Sequence, residues 1–124
     1  MPHERAADHP TFDLGGTAIT SYIGPARGGT ECVLYRADLP AGSGLPPHRH
    51  DHLDTFVVVA GGGTFHIDDE SFELAVGDSV TVPVGARHFL EAGPEGASLM
   101  VAMLPGTIMF RDDGSEAAPP WVSS

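Results

Sequence analysis

The sequence predicts an all-β fold, a sandwich or barrel of short strands in a single domain. Sixteen glycines and eleven prolines punctuate short runs rich in Val, Ile, Thr and Phe. Nowhere do apolar residues hold a helical period for three turns, and the runs recur at even spacing with turn residues between them. A chain of 124 residues, 41% hydrophobic, suits one core rather than two.

Residues 1–10, "MPHERAADHP", read as a polar arm with His3 and His9 facing solvent. They lack the basic start and apolar run of a secretory signal, and no stretch approaches the roughly 18 apolar residues of a membrane helix, so a cytoplasmic location is expected. The barrel is expected over residues 11–110, and residues 111–124 read as a tail that Trp121 could pin to it. Strands are expected at 17–23, 31–39, 55–60, 64–68, 71–75, 79–83, 88–92 and 98–104, with a short one at 107–110. The triple glycine Gly61–Gly63 reads as a hairpin turn between 55–60 and 64–68, and "DDE" at 68–70 as another. Cys32, the only cysteine, excludes an intramolecular disulfide and a thiolate-rich zinc site, and is expected as a small buried residue within its strand.

Seventeen acidic residues face six arginines and no lysine, for a net charge of −11. Such a field repels phosphate backbones and anionic lipid, so nucleic acid and membrane surfaces are excluded as expected partners. Without lysine, Schiff-base chemistry by a side chain is also excluded.

The stretch "PPHRHDHLD" carries the chemistry. Two prolines favour an extended entry, and alternation then puts His48 and His50 on one face, where two imidazoles can chelate. Arg49 belongs on the opposite face, beside an acid. Asp54 opens the next apolar run and shares its face with Phe56 and Val58. His88 follows "PVGAR", a tight turn with glycine at its later position, which returns the chain and His88 to the interior.

Through two motifs the chain resembles the cupins. In the first, Gly42, "SGLPP", His48-Arg49-His50, "DHL", Asp54, "TFVVVA" and Gly61 follow the family spacing throughout, with Asp54 in place of the family's glutamate. In the second, Gly77, "DSVTV", Pro83-Val84-Gly85, "AR" and His88 fit, and Ala92 stands where the family has asparagine. Fifteen residues separate the motifs, as in short members of the family.

The resemblance implies a cupin jelly-roll barrel of six to eight strands around a divalent transition metal, Fe, Mn, Ni, Zn or Cu, held by His48, His50, Asp54 and His88. Aspartate is one methylene shorter than glutamate, so Asp54 binds directly, through a water, or not at all. His52 is the alternative fourth ligand, though a turn after His50 would leave it at the rim, and His66 is a more remote candidate. The competing expectation is a barrel that has lost its metal. An apolar lining drawn from Tyr22, Tyr35, Phe56, Phe65, Phe89, Met100, Met103 and Phe110 would favour an uncharged or aromatic substrate over a phosphorylated sugar.

The leading functional expectation is a metal-dependent enzyme acting on a small organic molecule, most concretely a dioxygenase-type oxidoreductase resembling the quercetinase-like group, with Asp54 taking the substrate proton if it is not fully committed to the metal. Isomerase, dehydratase or cyclase chemistry uses the same parts, and a non-catalytic ligand-binding module is the alternative of a different class. A homodimer is expected by resemblance.

Overall fold

A computed structural model describes residues 3–124, so the first two residues of the expected arm lie outside the described residues. After a 3-10 turn at Ala6–Asp8 come β1 (Thr11–Leu14), β2 (Thr17–Ile23) and a second 3-10 turn at Pro25–Arg27. Next are β3 (Val33–Leu39), β4 (His48–His50), β5 (Asp54–Ile67), β6 (Glu70–Leu74), β7 (Ser79–Val82) and β8 (His88–Met103). The chain ends with β9 (Met109–Arg111), β10 (Glu116–Ala117) and the short helix α1 (Pro120–Ser123). The ten strands form one curled antiparallel sheet, a jelly-roll barrel with two short strands beyond the expected six to eight. No helix among the described residues is long and apolar enough to cross a membrane.

Period-two burial explains how the sheet curls around one core. Asp54, Phe56 and Val58 point inward on β5 while Val57 and Val59 face out, and on β7 Val80 and Val82 are buried between exposed Ser79 and Thr81. The carboxy-terminal half of β8 lies between β3 and the start of β5, whereas its amino-terminal half, from His88 to Ala92, pairs with the end of β5 from Ile67 to Gly63. These two strands therefore run through both layers.

That continuity corrects the expected hairpin at Gly61–Gly63, and the expected break after residue 92. Gly61 pairs with Ala97 and Gly63 with Ala92, so Gly62 alone stands opposite residues 93–96, which bulge out of β8. The glycines are needed for close approach. A Cβ on Gly61, Gly62 or Gly63 would lie 2.0, 2.3 or 2.1 Å from the carbonyl oxygens of Gly96, Leu74 and Glu91. The hairpin after β5 turns at Asp68 and Asp69, where the "DDE" stretch leads one to expect it, with Asp68 at φ 49°.

Three further expectations change at the edges. β1 was not anticipated; it pairs with β2 across Gly15 and Gly16, both at positive φ. Cys32 is exposed rather than buried, because β3 begins one residue later, where Val33 pairs with Met103. His9 is half-buried and meets Tyr22 edge-on at 4.9 Å, and the arm is tied down by Glu4, whose carboxylate accepts a 2.6 Å hydrogen bond from Arg27. At the other end Trp121 and Val122 of α1 are buried, with the indole 6.1 Å from the Phe12 ring and 6.0 Å from that of Tyr35.

Candidate metal centre

Among the described residues seven polar or charged ones are buried, and four of them, His48, His50, Asp54 and His88, converge on one spot. β4 is only three residues long, and its alternation turns His48 and His50 inward and Arg49 out, 3.8 Å from Asp112. Asp54 begins β5, and His88 begins β8 after the turn at Pro83–Ala86, where Gly85 has φ 80°. The Gly85 N–H donates to the His50 carbonyl at 3.0 Å, locking the second motif's turn onto the first motif's strand. His48 pairs directly with His88 across the sheet.

The three imidazoles are oriented the same way. Each Nδ1 faces a main-chain carbonyl: Pro46 for His48 at 2.9 Å, Ile108 for His50 at 3.3 Å and Ala86 for His88 at 2.9 Å. A carbonyl only accepts, so each Nδ1 carries the proton and, in the neutral ring, each Nε2 presents a lone pair. Ring centroids lie 4.3–5.2 Å apart, and one nitrogen from each ring lies within 4.8 Å of the others. Asp54 Oδ2 is 3.5 Å from His50 Nε2 and 3.4 Å from His88 Nε2, while His88 Nε2 and Asp54 Oδ1 are buried without a hydrogen-bond partner. Lone pairs meeting lone pairs in a dry interior are unfavourable unless a cation lies between them. The donor set therefore fits a divalent transition metal with three nitrogens and one oxygen.

The electrostatics agree with a neutral His48 and an ionised Asp54. Burial, reinforced by His88, lowers His48 to about 4. Burial alone would raise Asp54, but His50 and His88, as proton donors when no metal is bound, outweigh that and lower it to about 2; with both Nε2 atoms unprotonated a bound cation would take their place.

The other candidates lie elsewhere. His52 is half-exposed at the rim, its Nδ1 2.9 Å from Asp51 Oδ1. His66 stacks on Phe89 at 4.3 Å and faces Glu91 on the outer surface. Beside the cluster lies a cavity of about 150 Å³, lined by Tyr35, Phe56, Phe65, Phe89 and Met103 among the anticipated residues, but not by Tyr22, Met100 or Phe110. Burial holds the Tyr35 phenol protonated, well above its ordinary range.

Residues after β8 contribute what the sequence reading missed. Ile108 anchors His50 through its carbonyl, and its N–H donates to Asp51 Oδ1 at 2.8 Å, which helps hold that carboxyl below the usual range. Arg111 and Trp121 line the cavity. The adjacency of "DHLD" to the histidines was the only sequence signal for Asp51; nothing local marked Ile108.

A barrel of this topology with three inward histidines that could hold a metal ion defines a class of small β-barrel proteins, and the cupin domain model matches residues 35–103, which include every residue of the cluster. The chain belongs to the cupin family. It is 33% identical over 107 residues to the dimethylsulfoniopropionate lyase DddW of Ruegeria pomeroyi, covering 77% of this chain and 70% of the lyase. Among solved structures it is similar to an RmlC-like cupin from Shewanella frigidimarina (TM-score 0.72, 22% identity, 91% of this chain and 95% of that one). It is also similar to a salicylate 1,2-dioxygenase from Pseudaminobacter salicylatoxidans (TM-score 0.66, 24% identity, 75% of this chain), of which it spans 27%.

Proposed function

We propose that this protein is a metal-dependent enzyme that binds a divalent transition ion through His48, His50, His88 and Asp54 and acts on a small organic molecule in the adjoining cavity. The observation that carries the reading is the convergence of unpartnered lone-pair atoms, His88 Nε2 and Asp54 Oδ1 among them, on the wall of an apolar cavity. A cavity of about 150 Å³ matches the space that accepts a single benzene ring. The part of the substrate held beside the cluster is therefore one ring, or an aliphatic group of that size.

A bound divalent ion supplies Lewis acidity that lowers the pKa of a coordinated enol, hydroxyl or acid. The protein's own residues hold the imidazoles in one tautomer, exclude water with an apolar lining, and offer Asp54, ionised at neutral pH, as both ligand and acceptor of the substrate proton. Tyr35, kept protonated, is a hydrogen-bond donor into the same space. A dioxygenase-type oxidation of a single-ring substrate is the first reaction to test. Elimination is the second reading, favoured by likeness to the lyase over most of this chain; it needs a proton acceptor and a Lewis acid but no oxygen.

Elemental analysis of untagged protein comes first, followed by turnover of single-ring phenolic acids and of dimethylsulfoniopropionate with and without O2. Near-stoichiometric metal and turnover that stops without O2 support the oxidation; turnover indifferent to O2 supports elimination. Absence of metal after incubation with all five ions overturns the reading.

A further inference from the structure

Arg111 was not a candidate in the sequence, where it falls at the start of the tail. In the fold it closes β9 and pairs directly with His48 across the antiparallel β4–β9 ladder. Residues directly opposite in such a ladder point to the same side, with Cβ atoms about 5 Å apart. His48 points inward, so Arg111 does too, and it lines the cavity at the histidine end.

Its charge is unspent. Arg27, Arg36, Arg49 and Arg87 all have carboxylate partners, and Arg5 is exposed in the arm. Arg111 is half-buried and, among the described residues, makes no ion pair. Asp113 feels its charge and Ser115 Oγ accepts a 3.4 Å hydrogen bond from it, leaving most of its five donors free. In a chain of net charge −11, a half-buried arginine with no carboxylate at ion-pair distance lines a largely apolar pocket whose one acid, Asp54, lies among the histidines.

We propose that Arg111 binds the carboxylate of the substrate, which is therefore a small carboxylic acid with an apolar body of single-ring size. The guanidinium fork matches a carboxylate in geometry and charge. The body extends from Arg111 into the space lined by Leu99, Val101 and Trp121. This deepens the function proposed above and rests on it for the identity of the molecule as a substrate, although the anion site itself is independent of the metal.

Trp121, the single tryptophan, lines the same cavity and gives the readout. Benzoate and its neutral isostere benzamide are titrated against the full chain, with and without Zn(II), while indole fluorescence is followed. The expected result is a benzoate affinity at least about tenfold above that of benzamide. Arg111→Met abolishes the preference by weakening benzoate alone, and Arg111→Lys restores part of it. Unchanged Zn(II) content and circular dichroism in both variants separate this from loss of fold. Equal binding of the two probes by the wild-type protein, or a preference that survives Arg111→Met, overturns the proposal. A protein that holds no metal yet keeps an Arg111-dependent preference for benzoate sinks the enzyme reading and supports this one.

Discussion

Acidification of the metal-free protein tests the central electrostatic claim, that His48 is a buried neutral ligand. Burial and His88 lower its pKa from 6.5 to about 4. Between those values the unfolded chain holds a proton on this residue that the folded protein does not. Stability therefore rises with pH across the window and falls as pH drops from 6.5 toward 4. At about 1.4 kcal/mol per unit, the contribution lost is about 3 kcal/mol, a large share of the 5–15 kcal/mol typical of a domain. None of it is lost above pH 7, and nearly all by pH 4. Urea unfolding of EDTA-treated protein, followed by Trp121 fluorescence at a series of pH values, measures the slope. His48→Gln cannot titrate and loses less stability over the same window by about that amount. If wild type and variant lose equal stability between pH 7 and pH 4.5, His48 is not held neutral by the fold and the argument fails.

Substituting His48, His50 or His88 by alanine should each lower Zn(II) retention by at least about a hundredfold, whereas His52→Ala, altered at the rim, should retain the ion; equal loss in all four would return His52 to the ligand set. Asp54→Asn removes the charge but keeps the shape, so Zn(II) affinity measured by chelator competition should fall about ten- to a hundredfold, and an unchanged affinity would remove Asp54 from the coordination sphere. Gly63→Ala puts a methyl group 2.1 Å from the Glu91 carbonyl oxygen at the crossing of β5 and β8, which should cost about 3 kcal/mol or more or prevent folding. A soluble variant that melts within a degree or two of wild type would restore Gly61–Gly63 as a simple flexible segment.

The histidine cluster was legible because its information is local. His48 and His50 share a face by period two, and the "PVGAR" turn returns His88 to the same interior. The triple glycine misled because glycine marks two different needs, positive φ in a turn and room for a neighbouring backbone, and one sequence cannot tell them apart. Here only Gly61 of the three has a positive φ, while all three meet a carbonyl. Cys32 shows how little separates opposite burial outcomes, since a strand starting at Val33 leaves it outside the ladder. The contributions of Asp51, Ile108 and Arg111 were illegible for another reason: their partners lie 57 to 63 residues away in the chain, in pairings that no short-range pattern encodes.

The same separation divides the work of the site. The segment matching the family model, residues 35–103, contains every histidine and the aspartate of the cluster. Much of what surrounds the adjoining space comes from outside that segment: Leu14 and Ile19 from the first hairpin, Met109 and Arg111 from β9, and Trp121 and Val122 from α1. A barrel built this way can keep its metal-binding geometry while the flanks change the charge, size and shape of what fits beside it. Replacing residues 107–122 with the corresponding segment of another small cupin is thus expected to change ligand preference more than metal content, provided the anchoring carbonyl at position 108 and its contact with His50 are kept. Loss of metal with the exchange despite that anchor would mean that the tail helps hold the ion as well as choose the ligand.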